Sequence, residues 1–595
     1  MNIDKFVSSL PIGEFTFADY ILHRLRAEGT CHVFGLTGGG IMHIIDSFSR
    51  YPGCELVTVH HEGFGGLAAD SYARVLNGVA CALGTTGPGV TNLFTSIAAA
   101  WQDSSPVLFI GGQVKSADST RLQGLSVRQY GTFEFDAIDT FSPITKYARL
   151  VNSPTNGVVD IEKALGKMQT NRPGPAYLEV PLDVQGKKLT SGLVHDVLQS
   201  LEGHGTEAEQ GFTEIDIALN DAPLFILGAG VLKSRSIDKL RILISKKRIP
   251  YVVTPLAIGF SNVDNLNYMG VIGLRGNRSA NIISQQAKQI VIIGSSLHQQ
   301  IVGWEPSLFN PNAEKIWFEI DEDVSKSRAE ALGIEHCFKL DVDQSVKILC
   351  DRLKGIDISN DWFSYVSRIR KKYLNHDFNM EIFGLYSVVA VINRYLDKFS
   401  VIATDSGQPW YVLPQALRMN GRVKYLSSGS FGAMGMTVPY LVGASKSSDG
   451  KAVLGVIGDG SLMMCLQELA TLKTYVKDFI LIIINNNGYR SIRGTHDKFF
   501  DGRRIGTDGC NGVFIPSYSK LVDAFELNYT SVASTVELEG LFDAYVDGGL
   551  VIETFVPDNE SLEPMVMSRL DNDGQFQSGS IDEMYPFVDF EKFLE

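Results

Sequence analysis

Two rhythms of apolar and polar positions alternate along this chain. Short unbroken apolar runs, among them Val107 to Ile110, Ala176 to Val180, Val453 to Ile457 and Phe479 to Ile484, are bounded by turn-forming residues. Between such runs lie stretches with helical spacing, such as Phe17 to Glu28 and Ser461 to Tyr475. The first pattern predicts strands buried on both faces and the second predicts amphipathic helices. Their alternation predicts parallel strands joined by right-handed crossovers. The expected fold class is α/β, with three doubly wound parallel-sheet domains.

Breaks in the rhythm give the expected boundaries. A first block covers 1–185, and a polar, glycine-rich stretch at 186–213 reads as a linker. A second block follows at 214–350, with strands at Leu224 to Leu227, Tyr251 to Thr254, Gln289 to Ile293 and Ile316 to Ile320. A charged helical connection at 351–382 leads to a third block at 383–560. The polar tail at 561–595 is expected to lie over the mouth of an active site. A length of 595 residues exceeds one core and agrees with about three domains. Blocks one and three share a size and an alternation that would suit two related domains.

Composition narrows the class. Hydrophobic residues make up 44% and charged residues 20%, as in a soluble globular protein. The net charge is −14 with the basic residues scattered, which argues against nucleic acid as a partner. The seven cysteines show no CxxC pair, so reduced thiols in a cytoplasmic protein are expected. MNIDKFVSSLPIGEF lacks the pattern of a signal peptide, and no apolar run reaches the length of a membrane span.

Candidate chemistry concentrates in Val453 to Tyr489. One apolar run ends at Gly458-Asp459-Gly460, a helix-period segment starts at Ser461, and the next apolar run ends at Asn485-Asn486-Asn487-Gly488. Both polar clusters fall at the carboxyl ends of parallel strands, where open α/β sheets bind ligands. Asp459, Asn486 and the Gly488 carbonyl offer hard oxygen ligands, a sparse set that suits Mg²⁺ when phosphates and water complete the octahedron. Gly458, Gly460 and Ser461 add backbone N–H groups for a phosphate. Alone, the same residues are also ordinary turn formers at the corners of a βαβ unit.

Further motifs occur in a consistent order: VTVHHEGFGG around Glu62, TTGPGVTN from Thr85 to Asn92, IGGQV with Gln113, TDSGQPW with Gly407 and Gln408, GAMG with Gly432 and Met434, then GDG and NN. In this order the chain resembles the acetolactate-synthase-like family of thiamine-diphosphate (ThDP) enzymes. The resemblance implies ThDP and Mg²⁺ as cofactors and domains of the ThDP decarboxylase and carboligase type. It assigns Glu62 to the cofactor's aminopyrimidine ring, Met434 to the prop that folds the cofactor, and Gln113 to a polar contact with substrate. Gly38, Gly39, Thr86, Gly87 and Asn92 would face the pyrimidine. Gly407, Gln408, Gly458, Gly460, Ser461, Asn486 and Tyr489 would face the rest of the cofactor. His60 and His61 read as packing or supporting residues. The implied reaction decarboxylates a 2-oxo acid, pyruvate by default, and transfers the acyl carbanion to a second carbonyl. The implied assembly is a homodimer or a dimer of dimers, with the cofactor between block one of one subunit and block three of the other.

Two departures matter. Biosynthetic acetolactate synthases hold FAD partly through arginines of the central domain, and here Ser296 and Gln300 stand in their place. FAD is therefore doubtful, although Gly270 to Asn281 keeps the look of a flavin-side loop. After NN the text reads SIRGTHDKFFDGRRIG, with Thr495 where the family has Trp. Together with Arg128 to Ala148 this looks closer to family members of surface-polysaccharide and sugar-nucleotide pathways. Arg490, Arg493, Arg503 and Arg504 then form either an anion site for a keto-sugar nucleotide acceptor or a solvated basic loop. A flavin-linked 2-oxo acid oxidase is the further alternative, and a silent binding subunit is disfavoured by the presence of Glu62, Asp459 and Asn486.

Overall fold

The computed structural model describes residues 2–202, 217–374, 378, 382–448, 450–570 and 576–588. Within them the chain builds three six-stranded sheets whose strands are all parallel. The first runs, from edge to edge, Glu55–Thr58, His32–Gly35, Ala80–Gly84, Val107–Gln113, Ala176–Pro181 and Tyr147–Leu150. The third runs Lys424–Ser427, Phe399–Thr404, Ala452–Gly458, Phe479–Asn485, Gly549–Phe555 and Asn528–Val532. Counted in chain order within each block, both sheets read 2-1-3-4-6-5. The central sheet, with strands from Pro223–Leu227 to His336–Phe338, reads 3-2-1-4-5-6. Phe479–Asn485 shows why the apolar runs became strands: β-branched residues dominate it and all but its last residue are buried.

Several boundaries lie elsewhere than the composition implies. The expected linker at 186–213 begins with structure belonging to block one: Lys188–Thr190 pairs antiparallel with Glu14–Thr16, and the helix Ser191–Glu202 buries Val194 and Leu198 against it. Residues 203–213 of that stretch lie outside the described residues. Within 351–382, the helix Asn360–Tyr373 packs Val366, Ile369 and Tyr373 into the central domain. The described part of the tail straps the central domain, with Val566, Ile581 and Met584 in the same apolar cluster as Leu224, Ile292 and Trp317. Arg278 donates to the carbonyls of Met584 and Pro586 at 3.1 and 2.9 Å, and Asn281 to that of Ile581 at 2.8 Å. Polar composition concealed the few apolar anchors.

Blocks one and three meet through equivalent helices, each following the edge strand that is second in its block. Helix Glu62–Leu76 of block one packs against Thr437–Ser445 of block three. Ser71 donates to the Tyr440 carbonyl at 3.1 Å, and the Tyr440 hydroxyl donates to Asp70 at 2.6 Å. A Cβ at Gly443 would lie 1.9 Å from the Ala68 carbonyl oxygen. Position 440 thus faces 71 and position 443 faces 68, so the helices run antiparallel. Overpacking at such a crossing costs about 1–3 kcal/mol. Gly443→Ala is therefore expected to lower stability by that amount, read as a shift of the urea unfolding midpoint.

Candidate active site

The carboxyl edge of the third sheet gathers the metal-ligand candidates. Asp459 follows Ala452–Gly458, and Asn486 follows the neighbouring strand Phe479–Asn485. The Asp459 carboxylate accepts from the N–H groups of Gly460 at 2.7 Å and Gly488 at 2.8 Å. Burial pushes its pKa up to about 6 despite those amides, so the site as built would favour a cation beside it. Asn486 donates through Nδ2 to Gln408 at 2.8 Å, while its buried Oδ1 has no partner. An orphaned oxygen beside a buried carboxylate fits a divalent cation. Among the described residues no group of three His, Cys, Asp or Glu side chains could hold a metal alone, so a cation here would need oxygens from a ligand.

The cradle and the prop segment join this edge. Gly407 has a φ of +83° and starts the helix Gln408–Ala416, with Ser491 Oγ 3.7 Å from where its Cβ would be. The Tyr489 ring leaves no room for a side chain at Gly460. Met434 lies in a loop held by Asp405, which accepts from the N–H groups of Gly435 and Thr437 at 2.9 Å each. Asp405 escaped the sequence reading although it stands inside TDSGQPW. The helix expected over Ser461 to Tyr475 is interrupted here: Asp459–Leu462 and Glu468–Tyr475 are joined by tighter turns, and the Gly435 loop packs against Met464 and Cys465 in the gap.

The arginines after NN divide by role. Arg493 is buried and donates to the carbonyls of Asn487 at 2.8 Å and Asn486 at 2.6 Å, fixing the loop after Phe479–Asn485 from behind. Arg504 pairs with Asp497 at 2.9 Å and Arg503 with Asp501 at 3.1 Å. Arg490, two residues past Gly488, has a buried Nε without a partner.

The carboxyl edge of the first sheet carries the other half. Glu62 is buried at the first turn of its helix and accepts from Asn92 Nδ2 at 2.9 Å. Gly38 packs on Thr85, and the Gly40 N–H donates to Thr85 Oγ1 at 3.0 Å, while Gly39 has open space in front of it. Thr86 Oγ1 is buried and unpartnered, and Gly87 turns with a φ of +69° beneath Phe133. Gln113, read from sequence as a substrate contact, already spends its amide on the chain: Nε2 donates to the Phe135 carbonyl at 2.9 Å and Oε1 accepts from the Val114 N–H at 2.8 Å. Beside it, Glu179 is buried and its pKa is raised from 4.5 to about 8, first by desolvation and then by Asp136.

Helix Glu62–Leu76 carries Glu62 at one end and, near the other, Arg74, which donates to the Ser427 carbonyl at the root of the Met434 loop. Just ahead of Glu62, the His60 N–H donates to Glu468 at 3.0 Å, so the edge carrying Glu62 borders the helix that follows the Asp459 loop.

Residues 15–138 match the N-terminal TPP binding domain of thiamine pyrophosphate enzymes, 217–340 their central domain and 405–553 their C-terminal TPP binding domain. The chain belongs to the thiamine pyrophosphate enzyme family. It is 26% identical over 572 residues to the acetolactate synthase large subunit of Lactococcus lactis subsp. lactis, covering 93% of this chain and 94% of that one. It is 27% identical over 590 residues to the acetolactate synthase large subunit of Cyanidium caldarium, covering 95% and 96%. To the acetolactate synthase isozyme 1 large subunit of Escherichia coli it is 28% identical over 541 residues, covering 88% and 89%.

The central domain has its own candidate crevice. The ligand crevice of a 3-2-1-4-5-6 sheet lies where the order reverses, here between Leu227 and Ile293. Across it the Gly230 N–H donates to the Gly294 carbonyl at 3.0 Å, and a Cβ at Gly228 would lie 2.1 Å from that oxygen. The tail covers Leu274, Arg278 and Asn281 at the same edge. Backbone and tail thus crowd the crevice in which a dinucleotide would lie.

Glu179 gives a pH test. Its folded pKa exceeds the unfolded one, so its contribution to stability is full below about 4.5 and is lost as pH rises toward about 8. Glu179→Gln is expected to flatten that decline, by on the order of a few kcal/mol between pH 5 and pH 8. Denaturant midpoints across that range measure it.

Proposed function

We propose that this thiamine pyrophosphate enzyme decarboxylates a 2-oxo acid, pyruvate by default, and joins the acyl unit to a second carbonyl compound. What carries the reading is the meeting of Asp459, Asn486 and Gly488 at one strand edge, with the Asn486 oxygen unsatisfied. The likeness to acetolactate synthase large subunits over nearly the whole chain supports the same reaction class. Bound thiamine diphosphate would supply a nucleophilic thiazolium carbon and an electron sink.

The protein's own residues supply geometry and one proton relay. Asp459, Asn486 and the Gly488 carbonyl would hold Mg²⁺, and Arg493 keeps their loop in place. Gly407, Gly460 and Ser461 would offer N–H groups to the diphosphate. Met434 would stand under the folded cofactor, with Gly432 backbone at the pyrimidine edge. Glu62, steadied by Asn92, would hold a proton for the aminopyrimidine ring. Gln113 shapes the wall by tying down the Phe135 loop. As the family resemblance implies, Glu62 of one copy would complete the metal half of another, making a homodimer the smallest active unit. Seven free cysteines support a cytoplasmic setting.

A keto-sugar nucleotide as acceptor is the second reading, favoured by the buried, unpartnered Nε of Arg490 two residues past Gly488. Incubation with pyruvate plus pyruvate, an aldehyde or a keto-sugar nucleotide, with products read by mass, separates the two. Glu62→Gln is expected to keep the cofactor bound and to cut turnover by roughly two orders of magnitude or more. Wild-type carbon dioxide release in that variant would remove Glu62 from the mechanism. Asp459→Ala is expected to lose thiamine diphosphate on gel filtration in Mg²⁺ buffer, and full retention would displace the metal assignment.

A further inference from the structure

The loop carrying Met434 is thin. Ser430, Phe431 and Gly432 are exposed, Ala433 and Met434 are half-buried, and the chain returns to the core only at Gly435. A residue that must brace a cofactor within a fraction of an ångström needs firmer support than such a span supplies. That support comes from its two ends. At the far end Asp405 grips Gly435 and Thr437. At the near end the grip comes from a different domain, 327 positions away along the chain: Asp103 Oδ1 accepts from the Ser430 N–H at 2.9 Å.

Asp103 is built into that role. It follows the helix Phe94–Gln102, and its side chain is 3% exposed. Gly429 has a φ of +64°, and any Cβ there would strike the Asp103 carboxylate, so the two fit only because position 429 is glycine. Arg74 stands 3.6 Å from Asp103, and its Nη1 also donates to the Ser427 carbonyl at 3.3 Å, just ahead of the loop. Lys233, from the central domain, donates to the backbone carbonyls of Asp103 and Ser104 at 2.9 and 2.6 Å. Residues from all three domains thus converge under the root of one exposed loop. A solvated structural ion pair would need none of this convergence, and its charges would gain little from it.

We propose that Asp103 is a positioning residue for the prop: it sets the height of the 430–434 span, and through it the side chain of Met434, while Arg74 and Lys233 set Asp103. The inference rests on the reading of Met434 as the cofactor's prop. It adds that each protomer's block one positions the prop of its own block three, besides presenting Glu62 elsewhere.

The test uses the full-length protein and two readouts. Deuterium uptake by the 428–436 segment, measured by mass spectrometry without cofactor, reports the clamp itself. Exchange of the thiamine diphosphate C2 proton, measured with saturating cofactor and Mg²⁺, reports the prop. Asp103→Ala is expected to raise uptake in that segment and to slow C2 exchange roughly tenfold to a hundredfold. Asp103→Asn keeps an oxygen for the Ser430 N–H and is expected to recover both to within roughly threefold. Should Asp103→Ala fail to fold, Gly429→Ala, which pushes the loop off the carboxylate, is expected to give the same two changes. Unchanged uptake and exchange in a folded Asp103→Ala or Gly429→Ala variant overturns the proposal, as does an Asp103→Asn variant no better than Ala. If uptake rises as expected but the wild-type protein itself never exchanges the C2 proton, the clamp stands and the reading of the function falls.

Discussion

The antiparallel contact between helices Glu62–Leu76 and Thr437–Ser445 governs the architecture. Two sheets of identical strand order are joined through their corresponding helices. Gly443 lets the backbones approach, and Ser71, Asp70 and Tyr440 lock the angle. The edge carrying Glu62 reaches block three as well, through the bond from the His60 N–H to Glu468.

Around the carboxyl edges, buried carboxylates serve mainly as receptors for backbone amides. Asp405, Asp459 and Asp103 each accept from N–H groups of a loop that the cofactor face needs, in two cases from another element of the same sheet and in one from another domain. A carboxylate accepts several such bonds and holds loop backbone without covering it, which leaves the outer side of the loop free for a ligand. The desolvation that raises Asp459 is the cost of placing such a receptor where a cation would also bind.

Much of the sheet architecture was legible in the chain because strands such as Phe479–Asn485 are apolar throughout and end in turn residues. The motifs placed Asp459, Asn486, Gly407 and Gln408 together, and the Asn486–Gln408 bond joins two of those texts directly. Other features were hidden for physical reasons. Ser461 to Tyr475 has the spacing of one helix, but a loop from 30 positions upstream wedges against Met464 and Cys465 and divides it. Asp103 and Arg493 look like surface charges until the partners supplied by distant backbone are seen. The Arg490 to Arg504 cluster resembled one basic patch, and only coordinates separate the buried strut from the surface pairs and the unpartnered member.

The strap formed by residues 564–570 and 576–586 bears on how the chain is made. Val566, Ile581 and Met584 complete an apolar layer begun by Leu224 and Ile226 more than 300 positions earlier. The middle domain therefore stays open on one side while the third domain is being synthesised, and it closes only after that domain has emerged. Sequential folding from the amino terminus, the usual course for long chains, is thus replaced here by an order in which the middle is sealed last.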